Sequence, residues 1–186
     1  SSRVRMRLQD DGESSMHAAA TGRTQIVLPA GRHADEEAGT MSDLHDPQAL
    51  AEHVGRTMLA HDPAALGVGM TVDAMGPGTA RLSMTVRRDM LNGVGICHGG
   101  YITLLADSAF AFACNSRNEL TVAASVVVDF IAPAQLGDML TAEAREVSRA
   151  GSTGVYDVTV HNLSGDLVAV LRGRSHQLKG RKTVPD

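Results

Sequence analysis

The sequence predicts a single α+β domain in which an antiparallel sheet of about five to six strands wraps around one long central helix. Two observations predict this fold. One stretch, residues 101–115, is apolar on nearly every helical face, and strand-like segments lie on both sides of it, two before and four after. An antiparallel sheet that covers such a helix curves around it and places the helix inside.

The central helix carries the most unusual pattern in the chain. A glycine-rich segment, residues 92–100, leads into a helix with no solvated charged face and one ionised side chain, Asp107. Such a helix is typical of a protein interior. A carboxylate there is costly unless it is paired or used, which makes Asp107 a candidate catalytic group. The helix N-terminus at Gly99 and Gly100 can stabilise negative charge.

The elements before the central helix follow from capping signals and spacing. A first helix begins at Asp46-Pro47, because aspartate is a favoured N-cap and proline is favoured at the first helical position. Apolar residues recur at helical spacing up to about residue 61. Strands at 68–72 and 80–86 then flank the turn-rich segment 75–78, as in a β-hairpin.

Four strand candidates follow the central helix. They are separated by loops rich in glycine, proline, serine and asparagine, and they comprise residues 122–131, 139–147, 155–162 and 167–178.

Composition narrows the function. A net charge of -4 and 3% aromatic residues disfavour a nucleic-acid-binding module, although a few cationic side chains would suffice for a nucleotide-containing ligand. Two cysteines cannot form a disulfide framework, and no apolar run reaches the roughly 18 residues of a membrane span. We therefore expect a soluble cytoplasmic protein that does not bind a membrane. The eight histidines show no paired ligand spacing, and we expect no metal.

The N-terminal region differs from the rest of the chain. Residues 1–40 contain no aromatic residue and show little periodicity, so they cannot bury enough apolar surface to hold a fold. We interpret residues 1–40 as a disordered or non-native extension, 41–180 as one domain, and 181–186 as a C-terminal tail.

Two adjacent segments resemble a known family. Residues 89–100, DMLNGVGICHGG, and 105–115, LADSAFAFACN, are similar to hotdog-fold acyl-CoA thioesterases of the phenylacetate-degradation (PaaI) type. Residues 128–133, 153–157 and 172–176 also fit that family. Val94 and Ile96 depart from it, since the family often has a polar residue and a small hydroxyl residue there. The resemblance implies the hotdog fold and hydrolysis of an aromatic or medium-chain acyl-CoA such as phenylacetyl-CoA or hydroxyphenylacetyl-CoA, without a cofactor.

The resemblance also implies roles for the motif residues. Gly99 is then the chief backbone donor to the thioester oxygen, and Asp107 is either the nucleophile or the base that activates water. Asn92 either orients the reacting groups or caps a turn. His98 is either a general base or a residue that fixes the loop, and we favour the second role. The candidates for binding substrate or coenzyme A are Gly100, Thr103, Arg149, Ser152 and Thr153.

Helix geometry adds a constraint. Gly99 and Asp107 are eight residues apart, which is roughly 12 Å along one helix, so both cannot contact the same carbonyl within one chain. If two such helices pack antiparallel about a two-fold axis, each Gly99 faces the Asp107 of the other chain. The resemblance implies the same homodimer with shared active sites, and a homotetramer as a dimer of dimers.

Several competing interpretations remain. Cys97 and His98 are adjacent, and side chains of neighbours in an extended segment point apart, which disfavours a catalytic pair. Asp107 could be a structural carboxylate satisfied by Thr103 or Ser108, and we interpret Asp129 as a strand residue. Basic residues near the C-terminus form a candidate surface for phosphates. A non-catalytic protein that binds or senses acyl-CoA is the alternative function.

Overall fold

The computed structural model describes residues 46–185 of the chain. These residues form the helices α1 (Pro47–Ala60), α2 (Pro63–Gly67) and α3 (Gly99–Asn115), a 3-10 turn at Arg88–Met90, and the strands β1 (Thr71–Gly76), β2 (Thr79–Thr85), β3 (Thr121–Phe130), β4 (Met139–Ala150), β5 (Thr153–His161) and β6 (Leu167–Gln177).

The six strands form one antiparallel sheet that curves around α3. Their order is β1-β2-β4-β5-β6-β3, and α3 contacts every strand of the sheet while α1 packs on β1. The predicted α+β hotdog architecture, with its central helix and antiparallel sheet, is therefore confirmed.

The region between α1 and the first strand differs from the prediction. Asp46 caps α1 as expected, accepting from the Gln48 and Ala49 N–H groups at 3.3 Å. Asp62 caps a second helix in the same way, since its Oδ1 accepts from the N–H groups of the two residues after Pro63 at 3.0 Å. That short helix delays the first strand, which begins at Thr71 and not at Val68. An aspartate N-cap followed by a proline therefore begins both helices.

The inner face of α3 is the core of the domain. Phe110 and Phe112 are buried there, and the Phe110 ring packs 5.4 Å from the ring of Tyr156 on β5. The ring also lies directly on β6 at Gly173, where an added Cβ would come within 2.9 Å of three ring atoms. The absence of a side chain at Gly173 therefore lets the helix and the sheet approach closely.

One stripe of α3 remains partly exposed, although the sequence suggests a helix buried on nearly every side. It comprises Gly100, Thr103, Leu104, Asp107 and Ala111, which recur at spacings of three and four and so share one helix face. All of these side chains except Leu104 are small or short. Another helix could pack along this stripe.

The edge strand β3 is unusually apolar for its exposure. It pairs with β6 on one side only, and Val122, Val126 and Val127 are 44%, 39% and 64% exposed. Unpaired edges with apolar side chains favour pairing with another chain. Because α3 also packs on β3, the edge strand and the open side of the central helix are neighbours.

The segment after residue 180, predicted to be a C-terminal tail, contacts the domain. Asn118, which has φ of 56°, accepts from the N–H groups of Thr183 and Val184 through Oδ1 at 3.1 and 2.9 Å. Asn115, the last residue of α3, accepts from the Thr183 hydroxyl at 2.7 Å. The C-terminal segment thus joins the end of α3 to the start of β3.

The predicted extension at residues 1–40 lies outside the described residues. Within residues 46–185, no helix is long and apolar enough to cross a membrane.

Candidate active site

Asn92 builds the loop that leads into α3. Its side-chain Oδ1 accepts from the N–H groups of Val94 and Ile96 at 3.0 and 3.3 Å, and its own N–H donates to the Ile96 carbonyl at 2.8 Å. Gly95 completes the turn with φ of 83°. In the single chain, therefore, the side-chain oxygen of Asn92 caps the turn. The loop holds the Val94 side chain outward, where it is 81% exposed.

His98 is the N-cap of α3. Its Nδ1 accepts from the Gly100 N–H at 2.9 Å, which requires Nδ1 to be unprotonated. The Gly100 amide is thereby engaged, which differs from the expectation that both glycine amides face the substrate. No acceptor for the Gly99 N–H is found among the described residues. The first N–H groups of a helix lack intrahelical partners, so Gly99 is the amide left to bind an anion.

Phe130, a residue that the sequence analysis did not single out, lies directly against Gly99. A Cβ added to Gly99 would come within 2.8 Å of Phe130 Cζ. The ring belongs to the last residue of β3 and is 55% exposed. Thirty-one positions separate the two residues in the chain, so only the fold brings them together.

Asp107 lies on the partly exposed stripe of α3 without a partner. No side chain in residues 46–185 donates a hydrogen bond to its carboxylate, and burial raises its pKa above the usual range. Thr103 and Ser108 do not satisfy it, although both lie on the same helix. A half-buried carboxylate with a raised pKa and no hydrogen-bond donor is available for chemistry.

The structure keeps Gly99 and Asp107 apart, as the helix predicts. Gly99 is the first residue of α3 and Asp107 lies two turns further on, which corresponds to roughly 12 Å of helical rise. One chain therefore presents an amide and a carboxylate that face outward along the same helix but do not meet.

The cysteines do not form an alternative nucleophilic site. Cys97 is 3% exposed, its Sγ lies 3.7 Å from the His98 carbonyl oxygen, and burial raises its thiol pKa. Burial raises the pKa of Cys114 to about 12. Both thiols are therefore held protonated, whereas thiol chemistry needs the thiolate.

The candidate coenzyme-binding residues Arg149, Ser152 and Thr153 lie at the hairpin between β4 and β5. Arg149 forms an ion pair with Glu119, and the Ser152 carbonyl accepts from the Gln177 N–H at 2.8 Å. This hairpin lies near the C-terminal end of α3, far from Gly99 of the same chain.

Part of the basic surface is neutralised by acidic partners. Arg172 forms a bidentate pair with Asp157 at 2.7 and 2.9 Å, and Arg145 approaches the same carboxylate at 3.6 Å. These side chains and Asp129 line a cavity of about 980 Å³ on the outer face of the sheet. That cavity contains neither Gly99 nor Asp107. The predicted basic cluster is therefore divided, with Arg145 and Arg172 at the cavity and Arg149 at the β4–β5 hairpin.

Titratable side chains show no metal-binding arrangement in the described part of the chain, where no three His, Cys, Asp or Glu residues converge.

Known proteins with similar sequences and structures share this arrangement of elements. The thioesterase superfamily matches residues 94–169. The acyl-coenzyme A thioesterase PaaI of Escherichia coli (strain K12) is 42% identical over 126 residues, which cover 68% of this chain and 90% of that protein. The solved structure of the E. coli PaaI protein from the phenylacetic acid degradation operon has a TM-score of 0.71 and 40% identity, covering 72% of this chain and 97% of that one.

A further similar structure contains a ligand. The protein smu.793 from Streptococcus mutans UA159, solved with acetyl CoA bound, has a TM-score of 0.59 and 27% identity, covering 61% of this chain and 92% of that one.

The two interpretations of His98 predict different mutant behaviour. Replacing His98 by Ala removes the N-cap, which should destabilise the protein by about 1 kcal/mol and lower kcat/KM. Replacing it by Asn keeps an N-cap, so stability and most of the activity should be retained. Thermal unfolding and thioester hydrolysis measured on both variants test this. Loss of activity in His98→Asn with stability retained would favour the general-base role.

The raised pKa of Asp107 predicts a pH-dependent stability. Because the folded protein holds this proton to higher pH than the unfolded chain, stability is lost as pH rises from about 4 through the raised pKa. The variant Asp107→Asn avoids that loss. Since the carboxyl is partly solvated, we expect a gain of no more than about 1 kcal/mol, or roughly 2–4 °C in Tm.

The measurement is Tm against pH at one protein concentration. The difference between Asp107→Asn and the natural protein should be small near pH 4 and reach its full value at neutral pH. An equal difference at both pH values would show that the ionised carboxylate carries no such cost.

Proposed function

Because this chain belongs to the thioesterase superfamily, with a PaaI-type acyl-CoA thioesterase as a relative, we propose that it hydrolyses an aromatic or medium-chain acyl-CoA at sites shared between two chains. The acyl-CoA thioesterase activity follows from that membership. The finer assignment concerns the acyl group and the residues that act on it. Phenylacetyl-CoA and hydroxyphenylacetyl-CoA are the substrates we favour, because the similar E. coli protein comes from a phenylacetic acid degradation operon.

The observation that carries this proposal is the pairing of two incomplete groups on α3. Among residues 46–185, the Gly99 amide has no acceptor and the Asp107 carboxylate has no donor. A thioesterase needs both a donor to the thioester oxygen and a group that delivers the attacking oxygen. The Gly99 amide can serve as the first and the Asp107 carboxylate as the second. Their separation along one helix means that the complement comes from a second copy.

Two copies of α3 can supply both complements at once. If the helices pack antiparallel with Gly99 opposite Asp107 of the partner subunit, the two-fold axis passes near residue 103, midway between them. Thr103 and the partly exposed Leu104 then lie at the centre of the helix contact, and the small residues Gly100 and Ala111 flank them on the same stripe. Leu104 would contribute apolar surface to this contact.

The edge strand β3 supports the same association. β3, whose other edge is unpaired, packs on α3, so a second copy docked on the helix stripe would also cover that edge. Burial of apolar surface contributes about 25 cal/mol per Å², which favours the dimer. A dimer of dimers would use another face, for which the outer sheet surface with its balanced charges is the candidate.

The chemistry follows from these positions. The thioester oxygen accepts from the Gly99 N–H at the positive end of α3, which stabilises the negative charge that forms as the carbonyl is attacked. Asp107 of the other chain either attacks the carbonyl, expelling the CoA thiolate and leaving an acyl anhydride that water cleaves, or removes a proton from an attacking water. The raised pKa of Asp107 makes it a stronger base than a solvated carboxylate.

The same packing accounts for the coenzyme candidates. Arg149, Ser152 and Thr153 lie toward the C-terminal end of their own α3, which an antiparallel arrangement brings near the N-terminal loop of the partner helix. The hairpin that carries them would then flank the site formed by the partner's Gly99. Arg149 would contribute a cation for phosphate. It could leave its ion pair with Glu119 to do so, or keep that pair and bind the phosphate as well.

The direct test is release of free thiol from phenylacetyl-CoA and a panel of other acyl-CoAs. We expect hydrolysis by the natural protein, and a loss of about 100- to 10,000-fold in kcat for Asp107→Ala and Asp107→Asn. Asp129→Asn is the matched control, because that carboxylate lies on the outer face of the sheet, and it should retain activity.

Three outcomes would contradict the proposal in different ways. Failure of the natural protein to cleave any thioester would contradict the hydrolase assignment. Full activity in both Asp107 variants would remove Asp107 from the mechanism and leave the hydrolase assignment intact. A stable, active monomer in sedimentation would contradict the shared site.

A further inference from the structure

We propose that Phe130 is a specificity-determining residue that forms the acyl-binding wall beside the Gly99 amide and favours acyl groups with an aromatic ring. This inference rests on the proposed function. It concerns the acyl group of the thioester. Neither the motif residues nor the separation of Gly99 and Asp107 identifies a residue that contacts this group.

The position of the ring is the first observation. Phe130 ends β3 with its backbone paired to Ala169 of β6, and the ring tip lies against the first residue of α3. From a Cβ built on Gly99, Phe130 Cζ is 2.8 Å away and the two Cε atoms are 3.2 and 3.3 Å away. The ring therefore lies against the residue whose amide the proposed function uses.

The exposure of the ring is the second observation. The other two phenylalanines of the chain, Phe110 and Phe112, are no more than 1% exposed, whereas Phe130 is 55% exposed. A phenyl ring normally buries 150–250 Å². The exposed part of the Phe130 ring, next to the Gly99 amide, is therefore apolar area that a bound group could cover.

The neighbouring side chains extend that apolar surface. Ile131 follows Phe130 and is 57% exposed, and Leu136 is 49% exposed. The loop before α3 lies against the same segment, because the Cys97 N–H donates to the Ala134 carbonyl at 2.9 Å. The β3–β4 connection thus passes next to the loop that leads into Gly99.

The chemistry of the wall selects the acyl group. We expect an acyl group whose carbonyl oxygen accepts from the Gly99 amide to lie near the Phe130 ring. An aromatic acyl group can then pack edge-to-face or offset on that ring, a contact that contributes beyond area burial. A straight alkyl chain gains burial alone, so the ring favours aromatic acyl groups over aliphatic ones of similar size.

The test compares kcat/KM for phenylacetyl-CoA and hexanoyl-CoA in the natural protein, Phe130→Leu and Phe130→Ala. We expect Phe130→Leu to lower the phenylacetyl-CoA value about two- to tenfold and the hexanoyl-CoA value less than twofold, since leucine keeps an apolar wall without the ring. Phe130→Ala should lower both and reduce the ratio further. Val127→Ala, on the same strand and 64% exposed, is the matched control and should leave the ratio unchanged.

Three results would overturn the inference or its premise. An unchanged phenylacetyl-to-hexanoyl ratio in Phe130→Leu, with thermal unfolding and dimer formation intact, would overturn the role of the ring alone. An equal change of the ratio in Val127→Ala would assign the effect to the edge strand in general. Absence of thiol release from both substrates in the natural protein would overturn the proposed function and this inference with it.

Discussion

The separation of Gly99 and Asp107 along α3 determines how this chain can form an active site. The amide lies at the positive end of the helix and the carboxylate two turns later, so no rotation of a side chain brings them to one carbonyl. A helix is too rigid to bend them together. The fold therefore presents two half-sites, and the partly exposed stripe of α3 is where a second helix could supply the missing halves.

This constraint explains features that would weaken an isolated domain. Asp107 is partly buried without a hydrogen-bond donor, and β3 presents valines on an unpaired edge. Each is unfavourable in a single chain, and each is relieved if a second copy docks on the same side. Elsewhere the helix is firmly held: Phe110 packs on Gly173, and Asn115 fixes its C-terminal end to β3 and the C-terminal segment.

The sequence predicts those parts of the fold that depend on neighbours along the chain. The apolar run of α3, the Asp46 cap of α1 and the alternation in β4 to β6 are local patterns, and the structure has an element at each. The second helix lies beyond the helical spacing that ends near residue 61, and at five residues it is too short to show a spacing of its own. The contact of Phe130 with Gly99 depends on how β3 returns to the start of α3, which no local pattern encodes. The hydrogen bond from the Gly100 N–H to His98 depends on the rotamer of the His98 side chain.

Subunit complementation tests the shared site most directly. Gly99→Pro removes the amide N–H at a first helical position where the His98 backbone (φ -64°, ψ 131°) suits a following proline. Any side chain at Gly99 also meets the tip of the Phe130 ring. Gly99→Ala keeps the N–H and therefore measures this steric effect alone. Gly99→Pro and Asp107→Asn should each be nearly inactive alone. Refolded together in equal amounts, they should regain roughly a quarter of natural activity, because half of the dimers are mixed and each mixed dimer has one intact site of two. No recovery in a mixture shown to contain mixed dimers would mean that each site lies within one chain, and would contradict the account.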